Sequence, residues 1–159
     1  MNKSIENINL SQIHCIFFIY YTFACYNNGS AQEVEIEKII SYMKKWESKN
    51  NLCKKIMKET VTWSSNVIKS SDEAISTMFS MADYLNTENN FNSDKKEQLL
   101  LDIRAISRID GVFSEKEKKW HDLIAHNLKI NLRVSSCSKN DIEDGAKRVK
   151  RKKIGFIKN

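Results

Sequence analysis

Apolar residues recur at three- and four-residue intervals along most of the chain, the spacing of helices that bury one face. Leu99, Leu100, Ile103, Ile106 and Ser107 form one stripe, and Trp120, Leu123, Ile124 and Leu128 form another after a short break at Asp110-Gly111. Ile36, Ile39, Ile40, Met43 and Trp46 make a matching stripe nearer the start. Between them, Asn51 to Ile68 carries Leu52, Ile56, Trp63, Val67 and Ile68. Ser71-Asp72 reads as the cap of a further helix bearing Ala74, Ile75, Met78, Phe79, Ala82 and Leu85. Asn86 to Asn92 is the one polar loop of any length, closed by Asp94-x-x-Glu97 as a capping box. The pattern predicts an all-α, compact bundle of about six or seven helices.

Ile13 to Tyr26 is almost wholly apolar, and Gly29-Ser30-Ala31 after it could pass for a signal-peptidase site. The run is too short to span a bilayer. As a signal peptide it has a weak start, with Lys3 offset by Glu6 and a polar stretch before the run. A buried helix of the bundle is the preferred reading, which makes the chain cytoplasmic or membrane-peripheral and secretion the poorer alternative.

Composition agrees with one domain. The chain has 159 residues, 41% hydrophobic and 29% charged, enough to bury a core and too short for a multidomain enzyme. Proline is absent and only Gly29 and Gly111 precede residue 145, so the tight turns of an all-β fold or a phosphate-binding loop have little to be made from. Cys15, Cys25, Cys53 and Cys137 form no zinc-like spacing with the histidines and read as reduced, structural thiols. The net charge of +6 is uneven: residues 139–159 hold eight Lys/Arg against three Asp/Glu. The expected organisation is a helical domain over 1–138 and a basic tail or helix extension over 139–159. Lys147, Arg148, Lys150, Arg151, Lys152 and Lys153 would attract nucleic acid or an anionic membrane electrostatically, or simply stay solvated.

The two glycines sit in related surroundings, each after a long apolar segment and before an amphipathic one. Counting from glycine pairs Glu35 with Glu117. Matching the stripes and the Ser-x-x-Glu signals (Ser30 to Glu33, Ser114 to Glu117) pairs Glu33 with Glu117 instead, and packing favours this second register.

The phrase Ile106-Ser107-Arg108-Ile109-Asp110-Gly111-x5-Glu117, between a Leu-rich helix and a Trp/Leu-bearing one, resembles the signature of the tellurite-resistance TerB-like domains. The resemblance covers roughly residues 10 to 130. It implies two related helix-turn-helix halves and a non-enzymatic adaptor in stress response or tellurite resistance. It also implies a protein partner through protein–protein interaction, no small-molecule substrate, and acidic turn residues in metal binding. Position by position, Asp110 and Glu117 match the acidic pair. In the first half Asn28 stands where aspartate is expected and Glu33 or Glu35 must fill the glutamate role. An amide oxygen ligates a hard cation without adding charge, so a divalent metal cation here would be held more weakly or by one half alone.

The same turn fails as an EF-hand. With Gly111 at loop position six, Glu117 falls at twelve and Asp110 at five, but Ile106 and Arg108 occupy positions one and three, where oxygen ligands are needed. Cap chemistry accounts for the same residues without a ligand: Ser114 and Glu117 make a capping box, and glycine supplies a positive φ after a helix. His121 and His126 are five apart and do not share a helical face, while Glu117, His121, Asp122 and His126 read as a charged, solvent-facing surface. No nucleophile–base arrangement or dinucleotide motif is present, so an enzyme is not expected.

Overall fold

The computed structural model describes residues 9–25, 31–109 and 111–157. Among these, seven helices follow one another: α1 (Gln12–Cys25), α2 (Glu33–Trp46), α3 (Asn50–Val67), α4 (Ser71–Thr87), α5 (Ser93–Ser107), α6 (Glu115–Asn127) and α7 (Lys139–Arg148). The chain is all-α, as the periodicity predicts.

α1 is the centre. Its apolar residues run all round the helix, with Cys15, Ile16, Phe17, Phe18, Ile19, Tyr20, Phe23 and Ala24 all buried, and it packs against α2, α3, α4 and α5. α6 lies against α4 and α5, and α7 closes on α6. No helix among the described residues is long and apolar enough to cross a membrane.

Helix starts follow capping chemistry, two of them away from the positions expected above. α4 is capped by Ser70, whose hydroxyl accepts from the Glu73 amide. α5 is capped by Asn92, two residues before the expected Asp94, through its side-chain oxygen and the Lys95 amide. At the start of α1, His14 plays the part usually taken by glutamate: its Nδ1 accepts from the Ser11 amide at 3.1 Å and the Ser11 hydroxyl at 2.7 Å. Burial holds the His14 imidazole below its ordinary pKa, against a smaller upward pull from Glu59.

One buried carboxylate ties three helices together. Asp102 on α5 accepts from the Tyr20 hydroxyl of α1 at 2.6 Å, from Lys45 of α2 at 2.9 Å and from Gln98 at 2.8 Å. The Trp46 indole donates to the Tyr20 oxygen at 3.0 Å, and its ring stacks on Phe91.

The basic C-terminal segment is not a loose tail. Residues 139–148 form α7, separate from α6, and Ile142 and Ala146 join the core. Gly145 permits close approach to α6, because a Cβ there would stand 3.0 Å from a Leu123 methyl. Residues 149–157 then run extended across α4 as a strap. The Ser80 hydroxyl donates to the Lys152 carbonyl and the Tyr84 hydroxyl to that of Ile157, both at 2.6 Å, and Ser76 donates to Lys150. Phe156 stacks on Tyr84 with centroids 4.3 Å apart. At its end the strap meets the residues before α1: Leu10 donates to Gly155 and Ile157 donates to Leu10. The expected boundary at residue 138 is therefore crossed by one continuous core. The reason is that residues 142, 146, 154 and 156 supply apolar side chains among the cations.

Phe156→Ala is expected to lower stability by about 2 kcal/mol, through lost stacking and burial on Tyr84. Urea unfolding measures this; an undocked tail would give no change.

Candidate functional site

Two of the residues expected to bind metal, Glu35 and Glu117, serve as helix-cap partners. α6 begins after Ser114, whose hydroxyl accepts from the Glu117 amide at 3.1 Å while the Glu117 carboxylate accepts from the Ser114 amide at 3.1 Å and its hydroxyl at 2.9 Å. α2 begins after Gln32, and the Glu35 carboxylate accepts from the Gln32 amide at 2.9 Å. Both glutamates occupy the third helical position and both are buried. The buried rows that follow are Glu35, Ile39, Met43 in α2 and Glu117, His121, Ala125 in α6.

These rows correct the register preferred above. Glu117 corresponds to Glu35, and Glu33 is an exposed first residue of α2. With α2 starting after Gln32, Glu35 takes the third position on the face that Ile39 and Met43 continue into the core. Asn28 and Asp110, with Gly29 and Ser30, lie outside the described residues. Gly111 has a φ of 91°, the left-handed conformation expected of it. Among the described residues no three His, Cys, Asp or Glu side chains converge as metal donors.

Three of the four residues read as a solvent-facing surface of α6 are buried, and the fourth, His126, is half-buried. Glu117, His121 and Asp122 are at most 1% exposed. The Arg104 guanidinium lies 3.0 Å from His121 Nε2 and can only donate, so Nε2 is the accepting nitrogen and Nδ1 carries the hydrogen toward Asp122 at 2.9 Å. Asp122 also accepts from the Val134 and Ser135 amides, each at 2.9 Å, and from the Ser135 hydroxyl at 2.5 Å. Burial pushes the Asp122 carboxyl up, but the hydrogen bonds from His121, Ser135 and Val134 outweigh it and hold the group below its usual range. This cluster clamps the 128–138 loop onto α6. The stripe of α6 alone gave no sign of it, because the covering comes from outside the helix, from α5 before it and the loop that folds back after it.

The cations of the strap divide into two sets. Arg151 is held inside: Nε donates to Asp83 at 2.7 Å, one terminal nitrogen donates to the Ala146 and Val149 carbonyls, and the guanidinium lies over Phe79. Lys152 pairs with Glu73 at 3.5 Å. Lys147, Arg148, Lys150 and Lys153 are exposed. A groove of about 830 Å³ runs beside Lys150 to Lys153, with Trp120, Asp72 and Glu73 on its other wall.

The elements thus define an all-α bundle with capped acidic turns and a docked basic strap. Scans against protein-family models, curated proteins and solved structures return no match for the chain.

Glu35→Ala and Glu117→Ala are each expected to lose about 1 kcal/mol of stability as cap partners, and Glu33→Ala to stay within about 0.5 kcal/mol. Thermal melts of the three variants check the register: a loss at Glu33 equal to that at Glu35 would overturn it.

Proposed function

We propose that this chain is a non-enzymatic helical binding module that grips the phosphate backbone of a nucleic acid through its basic strap. The observation that carries the reading is the division of the cations in the last turn of α7 and the strap. Arg151 and Lys152 anchor the strap through Asp83 and Glu73, so Lys147 and Arg148 on α7 and Lys150 and Lys153 on the strap stand exposed at fixed positions instead of on a mobile tail. Fixed cations lose less freedom on binding than cations on a free chain. A membrane surface is the poorer partner, because the apolar residues Ile142 and Ala146 of α7 face the core and leave no apolar face to insert.

Replacing Lys147, Arg148, Lys150 and Lys153 by alanine is expected to weaken oligonucleotide binding and to flatten the plot of log affinity against log salt by roughly three units. Fluorescence anisotropy over a salt series measures both, with anionic vesicles as the comparison. Unchanged affinity and slope would remove this reading.

The paired glutamates at the starts of α2 and α6 favour a second reading. It is a TerB-like adaptor in stress response or tellurite resistance that recruits a protein partner and takes a divalent cation at Asp110 and Glu117. Glu117 already serves as a cap, so a cation there would compete with the Ser114 hydrogen bonds. Calorimetric titration of metal-stripped protein with Ca²⁺, Mg²⁺, Mn²⁺ and Zn²⁺ tests this: heat lost in Asp110→Ala supports it, and no heat from the unsubstituted protein leaves Glu117 as a cap alone.

A further inference from the structure

Where the end of α6, the last turn of α7 and the strap meet α4, they line an open, cation-bearing concavity of about 400 Å³. Lys129, Lys147 and Arg151 line it with the single carboxylate Asp83, so its formal charge is three cations less one anion, or +2. Asp83 is already neutralised by Arg151.

The wall also carries an unused donor. Asn127 is 7% exposed, and its Oδ1 accepts from Arg151 at 3.3 Å, which fixes the orientation of the amide. Its Nδ2 is buried and has no hydrogen-bond partner among the described residues. A buried amide left unpaired is costly, so the native state gains when something supplies an acceptor. Arg151 retains one terminal hydrogen beyond those given to Asp83, Ala146, Val149 and Asn127. Lys129 is held at the pocket's edge by an unusual backbone. It ends α6 in the left-handed region with φ of 62°, where glycine is the usual residue, and the Ile130 amide closes the turn onto the Ala125 carbonyl.

We infer that this pocket binds the phosphate group of a phosphate monoester. A monoester carries about −1.5 to −2 charge at pH 7 and three acceptor oxygens. That complements a +2 pocket whose free donors are two ammonium groups and a guanidinium hydrogen, backed by the buried Asn127 amide in the wall. The volume exceeds what a bare phosphate fills, and Asn86 and Thr87 on the remaining wall suit a hydroxylated organic portion, so the ligand is a sugar phosphate. The group has two sources, a free sugar phosphate or the 5′-phosphorylated end of a nucleic acid. The inference does not depend on the strap gripping a polymer, because Lys150 and Lys153 are not part of the pocket.

The test titrates ¹⁵N-labelled full chain at constant ionic strength with ribose 5-phosphate, with inorganic phosphate and with a 5′-phosphorylated oligonucleotide, following the Asn127 side-chain amide. A saturating shift with ribose 5-phosphate, tighter than with inorganic phosphate, is the expected result. Lys147→Ala should weaken it about tenfold, whereas Lys150→Ala/Lys153→Ala should leave it unchanged. Lys147 is exposed, so its variant retains the fold. A shift with the oligonucleotide alone assigns the phosphate to a nucleic-acid end and supports the same pocket. An Asn127 amide unmoved by all three probes, or a Lys147→Ala protein that titrates like the unsubstituted one, overturns the inference.

Discussion

Everything in this bundle is arranged around the need to wrap α1. A helix that is apolar on every side cannot lie at a surface, and water must be removed from its whole circumference. α2, α3, α4 and α5 each cover part of it, and the strap closes the gap beside Leu10. The basic residues are held in place as a by-product. The chain that carries them has to cross α4 to deliver Phe156 to Tyr84 and Ile157 to Leu10.

A uniform apolar cylinder could sit in its sheath at several rotations, and the Asp102 cluster removes that freedom. Tyr20 is the one hydroxyl-bearing residue of α1 that reaches this carboxylate, so turning α1 would strip a hydrogen bond from a buried anion. Lys45 and Trp46 extend the constraint to α2. The cluster acts on uniqueness of packing, in the way a single buried polar residue sets register in a coiled coil. The Asp122 cluster does the same for the 128–138 loop, and it fixes where α7 and the strap begin.

The helices themselves were legible because their stripes are local: spacing in Leu99 to Ile106 or Ile36 to Met43 carries its own evidence. The start of α2 was not. Ser30 and Gln32 compete as caps in the sequence, and what separates them is that Glu35, three residues after Gln32, shares the buried face of Ile39 and Met43 while Glu33 is exposed. The burial of His121 and Asp122 was hidden for a related reason, since their cover is a loop whose folding depends on those same residues. Lysine and arginine in the last segment concealed its docking, because two of six cations pair with Asp83 and Glu73 on a helix some seventy residues earlier. Of the candidate site, the caps could be read from sequence. The pocket beside Asn127 could not, as it gathers residues from four separate stretches.

The bridge between Leu10 and Phe156 links opposite ends of the described chain. During synthesis the Leu10 side of that bridge emerges early and the strap side late, so Leu10, wholly buried in the folded chain, stays uncovered until nearly all the rest has been made. The strap thus acts as a completion latch: only a chain read through to its basic segment can close over the entrance to its first helix.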